Sequence, residues 1–335
     1  MSGVQRAPAS VPAAVDVGDR SASGGSRHDG LRGRGTLLEV SHVSKRFVQG
    51  GLLSRGHVDA VVDANLSLTS DTSEIFTIIG ESGSGKTTLA RMILGLERPT
   101  EGEIRFEGKS NAERRSRAAR LDYMRRVQPV FQNPFESFNP LKRVDRYLSA
   151  TARTLLGAKS GAATEAAMDD ALQKVGLSLK EVAGRYAHEL SGGQLQRVAI
   201  ARALIPSPSL LIADEPVSMV DASLRMSIVN LLRDLRDEFG VSVIYITHDL
   251  ATAYYISDRL VIMQRGHVVE MGPARPILDA PEHPYSRLLK ASVLSIDDAG
   301  TGELVPADRS DAVAAWDLAG SGTLQERPDG RLVRQ

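Results

Sequence analysis

The chain has 335 residues, with 41 Lys and Arg against 41 Asp and Glu, so its formal net charge is zero. That balance argues against a general polyanion binder, which carries a basic excess. The composition, 42% hydrophobic and 24% charged, is that of a globular protein, and the absence of cysteine excludes disulfides, thiolate zinc sites, cysteine nucleophiles and cysteine-ligated iron–sulfur clusters.

Residues 1–36 are rich in Ser, Gly, Ala and Arg and poor in large apolar side chains, the pattern of a disordered tail. From Leu37 the pattern changes. Leu37–Val40, Val58–Val62 and Asn65–Leu68 read as short strands. Glu74–Ile79 is a compact apolar run ending at Gly80, which predicts a buried strand. Thr88–Leu96 is helical in spacing, and Ile104–Phe106 is another short strand. Arg114–Arg126 holds six arginines. With one aromatic (Tyr123), and with Glu113 and Asp122 interspersed, it reads as the solvated face of a helix rather than a nucleic-acid surface.

Residues 163–183 read as one helix with Ala167, Met168, Ala171, Leu172 and Val175 on one face. Leu210–Ala213 predicts a buried strand. Leu224, Ile228, Leu231, Leu232, Leu235 and Phe239 then line a helix stopped by Gly240. Val241–Ile246 is the next buried strand. Arg259–Met263 and His267–Glu270 flank a turn at Gly266 as a hairpin. Strands alternating with helices imply an α/β fold, with a mostly parallel sheet covered on both faces. Residues 296–335, with Trp316 in a short apolar patch, predict a loosely ordered C-terminal tail. No apolar run approaches the ~20 residues of a membrane-spanning helix, so any work at a membrane goes through a partner.

Three motifs carry chemistry. Gly80, Glu81, Ser82, Gly83, Ser84, Gly85, Lys86, Thr87 and Thr88 match a phosphate loop between a strand and a helix, the context such a loop requires. Its glycines let backbone N–H groups turn inward onto phosphate oxygens, and the helix N-terminus favours an anion. Lys86 is then placed to reach the β- and γ-phosphates of ATP, and Thr87 to ligate Mg²⁺. In the second motif, an apolar strand ends in Asp214 and Glu215. Asp214 would hold the metal through water, and Glu215 would polarise the attacking water. The third is Leu190, Ser191, Gly192, Gly193 and Gln194 at the start of a helix, again an anion site. One nucleotide does not need two such sites from one chain, so this loop would serve a nucleotide held by a second chain.

Together with a strand ending in Thr247, His248 and Asp249, these motifs resemble the ATP-binding subunit of an ABC transporter over about residues 37–295. Ser191 precedes Asp214 by 23 residues and Glu215 precedes His248 by 33. The resemblance implies a P-loop NTPase: an ABC ATPase domain with a mostly parallel core sheet, an antiparallel β-subdomain and a helical subdomain at about 133–190. It implies further site residues: Gln132 at the metal and at the membrane partner, His248 at the γ-phosphate, Phe47 stacked on adenine, and Asp221 in the loop that crosses a dimer interface. Met219 and Val220 stand where family members commonly carry Ala and then Leu. Phe135 and Phe138, exposed or half-exposed, would pass motion to a membrane subunit.

Gln132–Pro140, Arg185–Leu190 and Pro281–Leu289 resemble the peptide and nickel importer group, with Ala187 in place of a frequent Pro. Many relatives of that group carry a cysteine cluster after the last segment, and this chain has none. The implied partners are two multi-span permease subunits, a second ABC ATPase, and an extracytoplasmic substrate-binding protein, with no nucleic acid. The implied place is the cytoplasmic face of the cell membrane. The alternative class is an ABC ATPase acting on ribosomes or DNA. Its members usually carry two ATPase domains in one chain or a long coiled-coil insertion. The single set of motifs here, without a long heptad run, favours transport.

Overall fold

The computed structural model describes residues 35–49, 56–297 and 322–335. Nearly all of the expected N-terminal tail, and Trp316, lie outside the described residues. β1 (Thr36–Gln49) and β2 (Gly56–Thr69) form one long antiparallel ribbon, where the pattern suggested separate short strands. Register shifts between Val40 and Val43 and again up to Arg46 break the period-2 alternation, so the strands look shorter in sequence than they are. β3 (Ile75–Ile79) is buried at all its positions and leads through the glycine loop into α1 (Lys86–Ile93). β4 (Glu101–Phe106) and β5 (Lys109–Ser110) complete an antiparallel sheet in the order β2-β1-β4-β5.

α2 (Arg117–Arg126) carries much of the arginine-rich stretch, and β6 (Val127–Val130) follows it. The stretch is less solvated than its composition suggests. Arg114 lies over the ring of buried Tyr123 at 3.8 Å, and Arg126 pairs with Glu107. α3 (Val144–Thr151), α4 (Gly161–Gln173) and α5 (Leu179–Val182) come next, then α6 (Gly192–Leu204). The single helix expected over 163–183 is therefore two. The chain turns at Gly176, with φ 71°, and Ser178 restarts a helix in a capping box with Glu181. Val175 and Val182 are both buried in the same cluster, so the apolar period continues through the break and conceals it. Phe138 also departs from expectation. It is buried, edge-on to Tyr147 at 5.2 Å, whereas Phe135 is exposed.

β7 (Leu210–Asp214), α7 (Ala222–Asp237), β8 (Ser242–Thr247), α8 (Leu250–Ile256), β9 (Arg259–Gln264), β10 (His267–Pro273), α9 (Ala274–Asp279) and α10 (Pro284–Asp297) follow. The larger sheet has the order β11-β12-β10-β9-β3-β8-β7-β6, with β11 (Leu324–Glu326) and β12 (Leu332–Arg334) from the C-terminus. Pairing is parallel from β9 through β6 and antiparallel at the other end. Alternate residues of β8 enter opposite cores: Val243 and Tyr245 pack with the helical layer, and Ile244 and Ile246 with α1 and the antiparallel sheet. A strand buried on both faces explains the unbroken apolar run.

The loosely ordered tail expected over 296–335 is corrected at its end, where residues 322–335 form a docked hairpin. Val333 is buried and opposes Glu270, and Leu332 opposes Met271. Arg327 and Arg331 each bond Glu282 at 2.8 Å, and Arg334 donates to the carbonyls of Val268 and Gly322. Two three-residue strands show no readable period, so the hairpin is ordered by tertiary contacts that composition does not reveal.

Those contacts enclose a titratable group. His283 is fully buried, its Nδ1 accepts the Tyr285 N–H at 3.1 Å, and its pKa is pushed down to about 4 by burial, helped by the positive charges of Arg334 and Arg287. Protonating Nδ1 costs the Tyr285 bond. The folded state thus holds His283 neutral, whereas the unfolded chain charges it below about pH 6.5. This contribution is fully present above about pH 6.5 and is lost as pH falls towards about 4. Buried Glu270, whose pKa is raised by burial, works in the opposite direction. A difference measurement is therefore needed. Between pH 7 and about pH 4.5, His283→Asn is expected to lose about 2 kcal/mol less stability than the parent. Urea unfolding at both pH values checks this, and parallel losses in the two proteins refute it.

Candidate functional site

The phosphate loop is shaped by close backbone contacts. Gly85 ends the loop as the N-cap of α1 at φ 103°, and a Cβ there would stand 2.2 Å from the Ala60 carbonyl oxygen. No L side chain fits that conformation or that space. The loop backbone is held from the β9–β10 turn, where Gly266 N–H donates to the Ser84 carbonyl at 2.9 Å, while Val62 N–H donates to Gly266. Around Gly83 no protein atom would approach an added Cβ within 4 Å, so the tip of the loop is open. Ser82 is exposed and Ser84 is buried.

Lys86 is buried, and its Nζ donates to the carbonyls of Gly80 and Glu81 at 2.7 Å each. Burial lowers its pKa, opposed by the negative charges of Glu215, Asp214 and Glu81. Asp214, at the end of β7, hydrogen-bonds Thr87, and burial raises its pKa against that bond and the charge of Lys86. Thr88 is half-buried one residue further into α1.

Glu215 is gripped on both oxygens. Gln132 Nε2 donates to Oε2 at 3.0 Å, and His248 Nδ1 lies 3.0 Å from Oε1. Its backbone has φ 46°, the left-handed region, and its N–H donates to the Ile246 carbonyl at 2.9 Å. A β7-to-β8 backbone bond thus pins a conformation that a glutamate seldom adopts. The His248 side chain is 64% exposed against 21% for Glu215, so the imidazole covers the carboxylate from the solvent side.

Ser191 and Gln194 form a capping box at the start of α6, each side chain bonding the other's backbone N–H. A Cβ on Gly193 would meet the tip of the Leu224 side chain at 2.8 Å, which would have to move aside, while Gly192 is half-buried. The hydrogen bonds of Ser191 and Gln194 stay within this turn. Asp221, the N-cap of α7, is exposed and makes no side-chain capping bond. Of its two unusual neighbours, Val220 is buried and Met219 is 58% exposed.

Phe47 lies on the antiparallel ribbon, opposite Val58, with Lys45 Nζ 4.8 Å from its ring. It is 37% exposed and outside the core. The structure thus brings Gln132, Glu215 and His248 into one cluster, and Lys86, Thr87 and Asp214 into its neighbour. Two features of the site went unread in sequence. One is the Ala60 and Gly266 backbone behind the loop. The other is Tyr285, whose hydroxyl accepts the Glu81 N–H at 2.9 Å. The first has no side-chain signal. The second lay inside a segment noticed for another reason.

Comparisons with known proteins identify the same family as the motifs. The ABC transporter family model matches residues 64–218. The oligopeptide transport ATP-binding protein OppF of Bacillus subtilis is 40% identical over 257 residues, covering 77% of this chain and 82% of that protein. A putative peptide import ATP-binding protein of Brucella ovis is 40% identical over 266 residues, covering 79% and 81%. Among solved structures, the dimeric post-hydrolysis state of the ATP-binding cassette MJ0796 with ADP and Pi aligns with a TM-score of 0.62 at 28% identity, over 71% of this chain and 99% of that one. With the motifs in order, their side chains clustered and relatives of this identity spanning most of both chains, the protein belongs to the ATP-binding subunits of ABC transporters.

Proposed function

We propose that this ATPase energises import of oligopeptides or dipeptides. The observation that carries the reading is the likeness, at 40% identity over most of the chain, to an oligopeptide transport ATP-binding protein. ATP would lie with its phosphates on Gly80–Thr88 and its adenine on Phe47. A second ATPase, identical or related, would close over it with Ser191–Gly193 and Asp221. The dimeric state of the MJ0796 cassette supports this arrangement. Closure excludes water and completes the site only when both chains are in place.

The side chains present suit Mg²⁺. Among the described residues no group of three or more His, Cys, Asp or Glu forms a metal cage. Instead the Thr87 hydroxyl and Asp214 carboxylate meet beside the Gln132 and Glu215 pair. That is a sparse oxygen set of the sort that holds Mg²⁺ together with substrate phosphates. When bound, the ion neutralises charge on the β- and γ-phosphate oxygens. Lys86 exchanges the Gly80 and Glu81 carbonyls for phosphate oxygens. Glu215, its orientation held by Gln132 and His248, accepts a proton from the water that attacks phosphorus, and ADP leaves.

On either side of Gln132, exposed Phe131, Phe135 and Leu141 offer an apolar surface to two multi-span permease subunits. An extracytoplasmic binding protein would select the cargo. Among the described residues no helix is long and apolar enough to cross a membrane. As the ATPase of such permeases the chain would sit at the cytoplasmic face of the membrane, held by its partners.

Glu215→Gln is expected to retain MgATP and to release phosphate at least about 100-fold more slowly, the usual scale for loss of a general base. Steady-state release at the wild-type rate would remove Glu215 from this role. Phe47→Ala is expected to raise the KM for ATP by about tenfold, the lower range for loss of a base–aromatic stack. An unchanged KM places adenine elsewhere. Tagged Glu215→Gln, drawn from native membranes with MgATP, is expected to bring two permeases, a second ATPase and a binding protein, read by mass spectrometry. Ribosomal or DNA-repair proteins without a permease would end the transport reading.

A further inference from the structure

The nucleotide site leaves Pro281–Leu289 without a task, yet this segment touches the phosphate loop. Tyr285 is buried, and its hydroxyl accepts the Glu81 N–H at 2.9 Å. The same peptide unit presents the Gly80 carbonyl to Lys86 Nζ at 2.7 Å. The Gly80–Glu81 peptide is thus held at both ends, by Tyr285 on its nitrogen and Lys86 on its oxygen. The opposite shoulder of the loop is held by Gly266 and the tip at Gly83 is open, which makes Tyr285 the support of the entry shoulder.

Tyr285 is itself fixed from the C-terminus. Its N–H bonds His283 Nδ1, and the N–H groups of Glu282 and His283 both donate to buried Glu270. Arg331, just before β12, closes this assembly. Its guanidinium bonds Glu282 Oε1 at 2.8 Å and the Ala280 carbonyl at 2.7 Å, and lies 3.7 Å from Glu270 Oε1.

We propose that Tyr285 is a positioning residue of the phosphate loop, orienting the Gly80–Glu81 peptide on which Lys86 rests, and that the C-terminal hairpin holds it there through Arg331, Glu282 and Glu270. The proposal rests on the reading of Gly80–Thr88 as the phosphate site. Before nucleotide arrives, the loop depends on protein contacts for its shape. Once phosphate oxygens bond its N–H groups, they take over that task. Loss of the hydroxyl therefore weakens capture of nucleotide and spares the saturated rate. Burial pushes the Tyr285 pKa up to about 12, so the phenol stays neutral through the working range.

The test uses the full chain and MgATP. Tyr285→Phe is expected to raise the Kd for MgATP and the KM about fivefold, the effect of one neutral hydrogen bond, with kcat within about twofold of the parent. Arg331→Met is expected to move both constants in the same direction. Leu289→Ala, which trims a partly buried packing contact of the same helix, is expected to leave Kd unchanged. Unchanged Kd in Tyr285→Phe, or an equal rise in Leu289→Ala, overturns the proposal. Lys86→Ala separates the two layers. Wild-type affinity in Lys86→Ala would overturn the loop assignment and this proposal together. Lost affinity in Lys86→Ala with unchanged affinity in Tyr285→Phe overturns this proposal alone.

Discussion

Parallel pairing of β3, β8, β7 and β6 is the constraint on which the site depends. Register aligns Ile79 with Thr247, Asp214 with Ile246, and Val130 with Ala213. The C-terminal ends of four strands therefore reach one edge of the sheet together. Each then releases its polar residues there: the glycine loop after β3, Asp214 and Glu215 at the end of β7, His248 after β8, and Gln132 after β6. Strands buried on both faces can offer polar side chains to a ligand only where they end, and ligands of open α/β sheets bind at that edge. A slip of one residue between β7 and β8 would separate Glu215 from His248 while leaving much of the apolar packing possible.

Electrostatics at that edge is poised rather than relaxed. Lys86 is buried and its charge is sustained by Glu215, Asp214 and Glu81. Asp214 is in turn raised by burial and kept ionisable by Thr87 and Lys86. Three carboxylates act on one lysine there, so a divalent cation arriving with the phosphates offsets negative charge from both. The strained backbone of Glu215 belongs to the same economy. Its conformation is maintained by a hydrogen bond to Ile246, which the sheet itself supplies, so the carboxylate points at Gln132 and His248 without help from a ligand.

Most of this edge was legible because it obeys short-range rules. β3 announced itself as an apolar run closed by Gly80, and β7 as another closed by two acids. What escaped was non-local. The ribbon of β1 and β2 is longer than its alternation shows, because bulges reset the period. The break at Gly176 hid between two buried valines. Phe138 resembles its neighbour Phe135 in sequence, yet it packs into the core of the helical layer and edge-on to Tyr147. The β11–β12 hairpin is polar, short and Arg-rich, features that also describe a loose tail. What orders it is buried Val333 and the arginine contacts with Glu282, Glu270 and the Val268 carbonyl, to which nothing in its own segment points.

Glu270 shows how far the C-terminus is part of the ATPase body. A carboxylate with no exposed surface is costly unless it is bonded. Glu270 meets that cost with the backbone N–H groups of Glu282 and His283, just before α10, and with the charge of Arg331 from the hairpin. Removing any one partner leaves the others facing an under-compensated charge, so hairpin, helix and β10 hold or loosen as a unit. Tyr285 rides on that unit, and its hydroxyl ends on the phosphate loop. The hairpin is therefore connected to Gly80 and Lys86 through a run of hydrogen-bonded contacts.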